Sequence, residues 1–165
     1  MMMGLTVKLR PITEQDLGFL AKVYASTRQE EVAKTGWSQP QIDEFLAMQF
    51  KAQHTFYQEQ FANADFDIVE ADGKDIGRLY LDHREDEIRI VDIALLPECR
   101  GTGIGTRLLN DILNTATKRN VLVRIHVEKN NPALSLYKRL GFNQIEDQGV
   151  YLLMEKTPTK IAAAS

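Results

Sequence analysis

The sequence predicts a mixed α/β (α+β) fold, in which a central sheet of about seven strands carries helices on both faces. Two periodicities predict it: alternating apolar and polar residues indicate strands, and apolar residues at helical spacing indicate the helices between them. Composition adds a third observation, because 165 residues with 44% apolar and 26% charged side chains suit one ordinary globular core. The predicted order of elements is β-α-α-β-β-β-α-β-α-β-β.

The N-terminal third of the chain predicts one strand and two helices. The stretch "LTVKLRPI" alternates as a strand. Thr13 with Asp16 resembles a capping box and begins the first helix. Ser38 with Gln41 is a second capping box, and it begins a long helix that runs toward Phe61.

The remainder predicts a meander of three strands followed by alternating elements. "FDIVEA", "IGRLYLDH" and "IRIVDIALL" are strands joined by the turns "DGKD" and "REDE". A glycine-rich stretch then begins a helix, "VLVRIHV" is a strand, and "NPALSLYKRLG" is a helix closed by Gly141. "FNQIED" and "VYLLMEK" are the final strands. We therefore expect a single domain over residues 1–156 and a flexible tail over 157–165.

Composition and charge argue against several classes of protein. The net charge is −3 without a basic stripe, so nucleic acid is not an expected partner. The sequence contains no apolar run of transmembrane length, and "MMMGLTVKLR" lacks the apolar stretch of a signal peptide. A single cysteine, Cys99, excludes an internal disulfide and a cysteine-based zinc site, so no metal is expected. We therefore expect a cytoplasmic protein that does not bind membranes.

The stretch "RGTGIG", from Arg100 to Gly105, is the strongest functional signal. Successive backbone N–H groups in a glycine-rich turn before a helix form a cradle for an anion such as a pyrophosphate. Both the Walker A pattern and the dinucleotide fingerprint fail, because Thr106 stands where each requires a glycine. The alternative for the glycines is a turn that only requires positive φ angles.

Two motifs in this order resemble the GNAT superfamily of acetyl-CoA-dependent N-acetyltransferases. "RGTGIG" matches its R/Q-x-x-G-x-G/A pattern, and "NNPALSLYKRLGF" resembles its second signature, N-x-x-A-x-x-x-Y-x-x-x-G-F. The resemblance covers about residues 5 to 156 and implies a GNAT fold that binds acetyl-CoA. The residues it implies for that binding are Ile93, Ala94, Leu95, Arg100, Gly101, Thr102, Gly103, Ile104, Gly105, Thr106, Asn130, Asn131, Ala133 and Tyr137.

The resemblance also implies direct transfer of the acetyl group to a primary amine in a ternary complex. Ile93 to Leu95 would pair with the pantetheine arm, and the Leu95 N–H would donate to the tetrahedral intermediate. Asn130 matches the signature asparagine, although the neighbouring Asn131 is an alternative. Tyr137 stands in the position of the general acid that protonates the departing thiolate. Helical spacing alone favours a core aromatic for Tyr137.

The general base has several candidates. Asp92 shares an otherwise apolar strand face, where burial would raise its pKa, or it is a carboxylate satisfied by a neighbouring strand or helix terminus. His126 and Glu128 share the polar face of a later strand, and a lone histidine is often structural. A water chain is the remaining alternative.

The acceptor is expected to be the amine of a small molecule or a peptide. Trp37, His54, Tyr57 and Glu128 are candidates for lining its pocket, with ordinary packing as the alternative for the three aromatic rings. Dimers are frequent in the superfamily, so the resemblance leaves a homodimer open. An acyl-CoA-binding sensor without catalysis is the alternative function.

Overall fold

The computed structural model describes residues 6–159, and its elements follow the predicted order. The strands are β1 (Val7–Pro11), β2 (Asp65–Ala71), β3 (Lys74–His83), β4 (Glu87–Leu95), β5 (Leu122–Glu128), β6 (Asn143–Gln148) and β7 (Tyr151–Lys156). The helices are α1 (Leu17–Ala33), α2 (Gln39–Gln60), α3 (Ile104–Arg119) and α4 (Leu134–Arg139). Residues 1–5 and 160–165, which include most of the predicted tail, lie outside the described residues.

The strands form one mixed sheet in the order β1-β2-β3-β4-β5-β7-β6. β4 and β5 are parallel over the pairs from Glu87–Leu122 to Ile90–Ile125. β1 pairs antiparallel with β2, and β7 pairs antiparallel with both β5 and β6. The predicted fold class, with its mixed seven-stranded sheet, is therefore confirmed.

Contacts divide the chain into two compact units. Of the described residues, the first contains 6–80 and 92–100, and its core includes Leu20 and Val23 of α1 and Ile68 of β2. The second contains residues 81–91 and 101–159, and its core includes Leu109 of α3 and Met154 of β7. The prediction of a single domain over residues 1–156 stays a prediction.

Capping explains where the first two helices begin. Ser38 and Gln41 exchange the two hydrogen bonds of a capping box, from the Gln41 N–H to Ser38 Oγ (3.3 Å) and from the Ser38 N–H to Gln41 Oε1 (2.9 Å). Before α1, the Asp16 carboxylate accepts from the Thr13 N–H at 2.8 Å and closes a short 3₁₀ turn. Both starts agree with the sequence prediction.

Asp16 also forms a two-pronged ion pair with Arg10 of β1. The two guanidinium nitrogens lie 2.9 Å from the two carboxylate oxygens. The hydrogen bonds from Arg10 outweigh burial and lower the pKa of Asp16 from 3.8 to about 2. Asp16 therefore ties β1 to the beginning of α1.

We expect Asp16→Asn to lower the free energy of unfolding at pH 7 by about 1–2 kcal/mol, allowing for solvent that screens the partly exposed Arg10. Because the folded-state pKa of Asp16 is depressed, its contribution is complete above about pH 4 and is lost as the pH falls toward 2. Urea unfolding between pH 7 and 3 measures the difference in free energy of unfolding between wild type and Asp16→Asn. This difference should become smaller as the pH falls. Asp43→Asn, on the exposed side of α2, is the control and should change stability by less than about 0.5 kcal/mol.

Candidate active site

The glycine-rich turn places two of its three glycines in the left-handed region. The φ angles are +73° at Gly101 and +86° at Gly103, values that L side chains rarely adopt. Gly105 instead lies in the first turn of α3. Backbone conformation therefore accounts for Gly101 and Gly103 but not for Gly105.

The same turn leaves the beginning of α3 without a side-chain cap at its N-cap position. That position is Gly103, whose carbonyl accepts the first helical hydrogen bond from the Arg107 N–H at 3.0 Å. The first turn of α3 carries no acidic residue. The N–H groups that begin this 16-residue helix, together with its dipole, can therefore stabilise an anion.

Arg100 precedes this turn and is tied to the end of β4. Its Nε donates to the Leu95 carbonyl oxygen at 3.1 Å. This bond holds the Arg100 side chain against the backbone of Leu95. Leu95 is the residue whose N–H, by the resemblance, would donate to the tetrahedral intermediate. The same bond also links the end of β4 to the residue that opens the glycine turn.

The end of β4 is half-buried and lies against a glycine of β3. Ile93, Ala94 and Leu95 are all partly accessible. The Leu96 N–H donates to the Ile76 carbonyl at 2.8 Å. At Gly77, a Cβ atom would clash with the Ala94 carbonyl oxygen and would lie 2.8 Å from Leu95 Cδ2. A glycine is therefore required here for close approach, although its φ is not positive.

Asp92 lies just before this segment and has charged and polar partners. Arg78 Nη2 donates to Asp92 Oδ2 at 2.8 Å, and the Tyr57 hydroxyl donates to the same oxygen at 3.2 Å. Arg78 Nη2 also reaches Gln53 Oε1 at 2.9 Å. We call Gln53, Tyr57, Arg78 and Asp92 the Asp92 cluster. One oxygen of the carboxylate thus has partners on a neighbouring strand and in the last turn of α2. The role of Asp92 as the base stays a prediction.

Several buried polar atoms around this cluster have no hydrogen-bond partner among residues 6–159. They are Arg78 Nε, His54 Nδ1 and the Tyr80 hydroxyl. Burial raises the pKa of Tyr80 to about 12, while burial and the charge of Arg78 lower the pKa of His54. Burial alone would lower the pKa of Arg78, but Asp92, Tyr80 and Tyr57 together outweigh burial and keep that pKa above its ordinary value. The cluster therefore holds a buried, permanently charged guanidinium.

His126 lies on an exposed face of β5. Its Nδ1 is 3.5 Å from Arg89 Nη1. Partial burial and the Arg89 charge lower the pKa of His126, which favours the neutral imidazole. Glu128 is half-buried at the end of the same strand.

Tyr137 of α4 is 3% exposed, and its ring meets Phe142 edge-to-face at 5.6 Å. Asn131 Oδ1 accepts from the Ala133 N–H at 2.8 Å and so supports the beginning of α4. Asn130 is exposed. The buried ring of Tyr137 is compatible with either of the roles that the sequence left open.

The three ring-bearing candidates for the acceptor pocket lie in the first unit and differ in their surroundings. Trp37 is 44% exposed and packs edge-on against Phe45 at 5.1 Å. The ring of His54 lies 5.6 Å from that of Phe50, while Tyr57 belongs to the Asp92 cluster. Only Tyr57 therefore shares a hydrogen bond with a predicted catalytic residue.

Sequence reasoning missed three members of this region: Gln53, Arg78 and Tyr80. The one available signal was an arginine within the apolar strand "IGRLYL", which predicts a buried charge that requires a partner.

Among the described residues, no group of three or more His, Cys, Asp or Glu side chains is arranged to hold a metal ion. In the same residues, no helix combines the length and apolar character needed to cross a membrane.

The mixed sheet, together with a helix that begins after a glycine turn without a side-chain cap, defines an α/β protein that can hold an anionic ligand. The model of the Acetyltransferase (GNAT) family matches residues 26–142 of the chain. The chain therefore belongs to the acetyltransferase (GNAT) family, which confirms the resemblance found in its motifs.

Individual relatives agree with this assignment. An uncharacterized N-acetyltransferase of Methanocaldococcus jannaschii is 31% identical over 141 residues, which cover 70% of this chain and 62% of that protein. A ribosomal protein bS18-alanine N-acetyltransferase of Haemophilus influenzae is 32% identical over 62 residues, which cover 37% of this chain and 42% of that protein. The chain thus spans less than two thirds of the length of these relatives.

A solved structure shares the fold. The PaiA N-acetyltransferase from Thermoplasma acidophilum, in complex with coenzyme A, superimposes with a TM-score of 0.70 at 21% identity. The match covers 93% of this chain and 99% of that one.

Proposed function

We propose that this protein is an N-acetyltransferase that transfers the acetyl group of acetyl-CoA to a primary amine of a small molecule or peptide. The observation that carries the proposal is the open beginning of α3 behind two left-handed glycines, in a chain of the GNAT family. The name of the Haemophilus influenzae relative specifies an alanine of a protein as acceptor, which supports the peptide class.

For acetyl-CoA, the backbone amides from Gly101 to Gly105 would hold the pyrophosphate. The partly accessible backbone from Ile93 to Leu95 would pair with the pantetheine arm. Asn130 is favoured over Asn131 for contact with that arm, because the Asn131 side-chain oxygen already supports α4.

Three groups would perform the chemistry. The Leu95 N–H would stabilise the developing oxyanion, and Tyr137 would protonate the departing thiolate. Asp92, His126, Glu128 or a water chain would take the proton of the attacking amine. The thioester supplies the activated acetyl group, so the protein has to orient the amine and manage two proton transfers.

Melting temperatures with and without ligand test the binding claim. A ligand at about 100 times its Kd adds roughly 2.7 kcal/mol, so acetyl-CoA and desulfo-CoA should each raise the midpoint by several degrees. NADH, which carries a pyrophosphate on a different scaffold, should have little effect. If neither CoA compound shifts the midpoint, the open start of α3 does not bind CoA.

Release of free thiol over a panel of amines then tests catalysis. An acetyltransferase releases CoA in proportion to the acetylated amine. A sensor that only binds acyl-CoA shows the thermal shift without amine-dependent release, and this outcome would overturn the catalytic part of the proposal.

A further inference from the structure

Arg78 has no role in the proposed acetyl transfer, although its burial demands an explanation. Its side chain is 3% exposed, and an unpaired charge at such depth would be very costly. One nitrogen, Nη2, binds both Asp92 and Gln53, and the guanidinium carbon lies 5.2 Å from the centre of the Tyr80 ring. The arginine is therefore held from several sides at one end of the Asp92 carboxylate.

The two oxygens of that carboxylate differ in their contacts. Oδ2 accepts from both Arg78 and Tyr57. Oδ1 makes no hydrogen bond with any of residues 6–159, and it is not a fully buried atom. The Asp92 side chain as a whole is 15% exposed. Arg78 and Tyr57 therefore fix the carboxylate by one oxygen and leave the other accessible.

We propose that Arg78 is a positioning residue, which holds Asp92 so that its accessible oxygen Oδ1 binds the amino group of the acceptor. The inference rests on the proposed function and adds a residue that the two family motifs do not contain. Tyr57 assists by donating to the same oxygen as Arg78, which restricts rotation of the carboxylate.

A double-mutant cycle with Asp92 tests the proposal in the full chain. The variants are Arg78→Met, Arg78→Lys and Asp92→Asn, with the combination of Arg78→Met and Asp92→Asn. We expect Arg78→Met to lower kcat/KM for the amine by about tenfold or more, mostly through KM, while KM for acetyl-CoA stays within about twofold. Arg78→Lys, which keeps the charge, should retain more activity. In the Asp92→Asn background, Arg78→Met should change kcat/KM by less than about twofold.

Tyr57→Phe tests the same arrangement if the Arg78→Met variant does not fold, because Tyr57→Phe leaves the buried arginine in place. It should raise KM for the amine by about threefold to tenfold with little change in melting temperature. Arg84→Lys is the matched control, since it alters the Arg84–Asp82 pair at 2.9 Å without touching Asp92. It should leave both KM values unchanged.

The outcomes distinguish a failure of this inference from a failure of the proposed function on which it rests. If wild-type protein releases no thiol with any amine, the proposed function fails and the inference fails with it. If wild-type protein is active but Arg78→Met has the same effect with and without Asp92, Arg78 does not act through Asp92. Equal losses for amine and acetyl-CoA, or an unchanged KM for the amine in Tyr57→Phe, would also overturn the positioning role.

Discussion

Gly77→Ala is expected to lower the free energy of unfolding by about 1–3 kcal/mol and to weaken acetyl-CoA binding about tenfold or more. A Cβ atom at this position would overlap the Ala94 carbonyl oxygen and would lie 2.8 Å from Leu95 Cδ2 and 3.0 Å from Leu95 Cα. Two of these three contacts are with backbone, which cannot rotate away as a flexible side chain does. The end of β4 must therefore move, and in our proposal that segment holds the pantetheine arm.

Gly18→Ala provides the matched control, because it adds the same methyl group elsewhere in the chain. Gly18 lies in α1, and a Cβ atom there has no neighbour within 4 Å. Alanine is the better helix former, so this variant should gain about 0.5–1 kcal/mol and bind acetyl-CoA normally. Urea unfolding and titration with acetyl-CoA measure both effects. Equal stability and affinity in Gly77→Ala and wild type would contradict the close approach of β3 and β4.

The order of the elements could be predicted because it depends on local patterns. The Ser38–Gln41 capping box and the helical spacing of α3 act within a few residues of sequence. Packing decides finer details: Leu113, which the period places on the buried face of α3, is only half-buried, and Leu17 of α1 is 40% exposed. Periodicity gives the direction of a face but not how far neighbouring elements cover it.

The Asp92 cluster could not be predicted because its contacts are tertiary. Tyr57 reaches Asp92 across 35 residues and Arg78 reaches it across 14, so no local spacing encodes them. A carboxylate on an apolar strand suggested an environment in which burial opposes ionisation. The structure instead places the buried guanidinium of Arg78 2.8 Å from this carboxylate.

Loop conformation explains only part of the glycine-rich turn. Positive φ angles require Gly101 and Gly103 whatever the turn binds, so these two positions alone do not distinguish a ligand site from a simple turn. The distinguishing feature is the next element of the chain, a 16-residue helix whose N-cap residue has no side chain. The ligand prediction therefore depends on α3 more than on the number of glycines.

Tyr137→Phe is expected to lower kcat by about 100-fold or more, the usual contribution of a general acid, while acetyl-CoA affinity changes little. The phenylalanine ring keeps the edge-to-face contact with Phe142, so only the hydroxyl is lost. Without that proton donor, the thiolate must leave as an anion or take its proton from water. Steady-state rates of thiol release at saturating substrates measure this effect.

The same variant decides between the two roles that the sequence left open for Tyr137. A purely structural tyrosine that loses its hydroxyl should change stability but leave kcat within about threefold. Tyr24→Phe provides the comparison, because Tyr24 is also buried and its hydroxyl binds Gln49 at 3.3 Å in a different part of the chain. If Tyr137→Phe and Tyr24→Phe have similar melting temperatures and similar kcat values, Tyr137 is a core aromatic. If only Tyr137→Phe loses turnover at wild-type stability, its hydroxyl takes part in the reaction, which a binding sensor would not require.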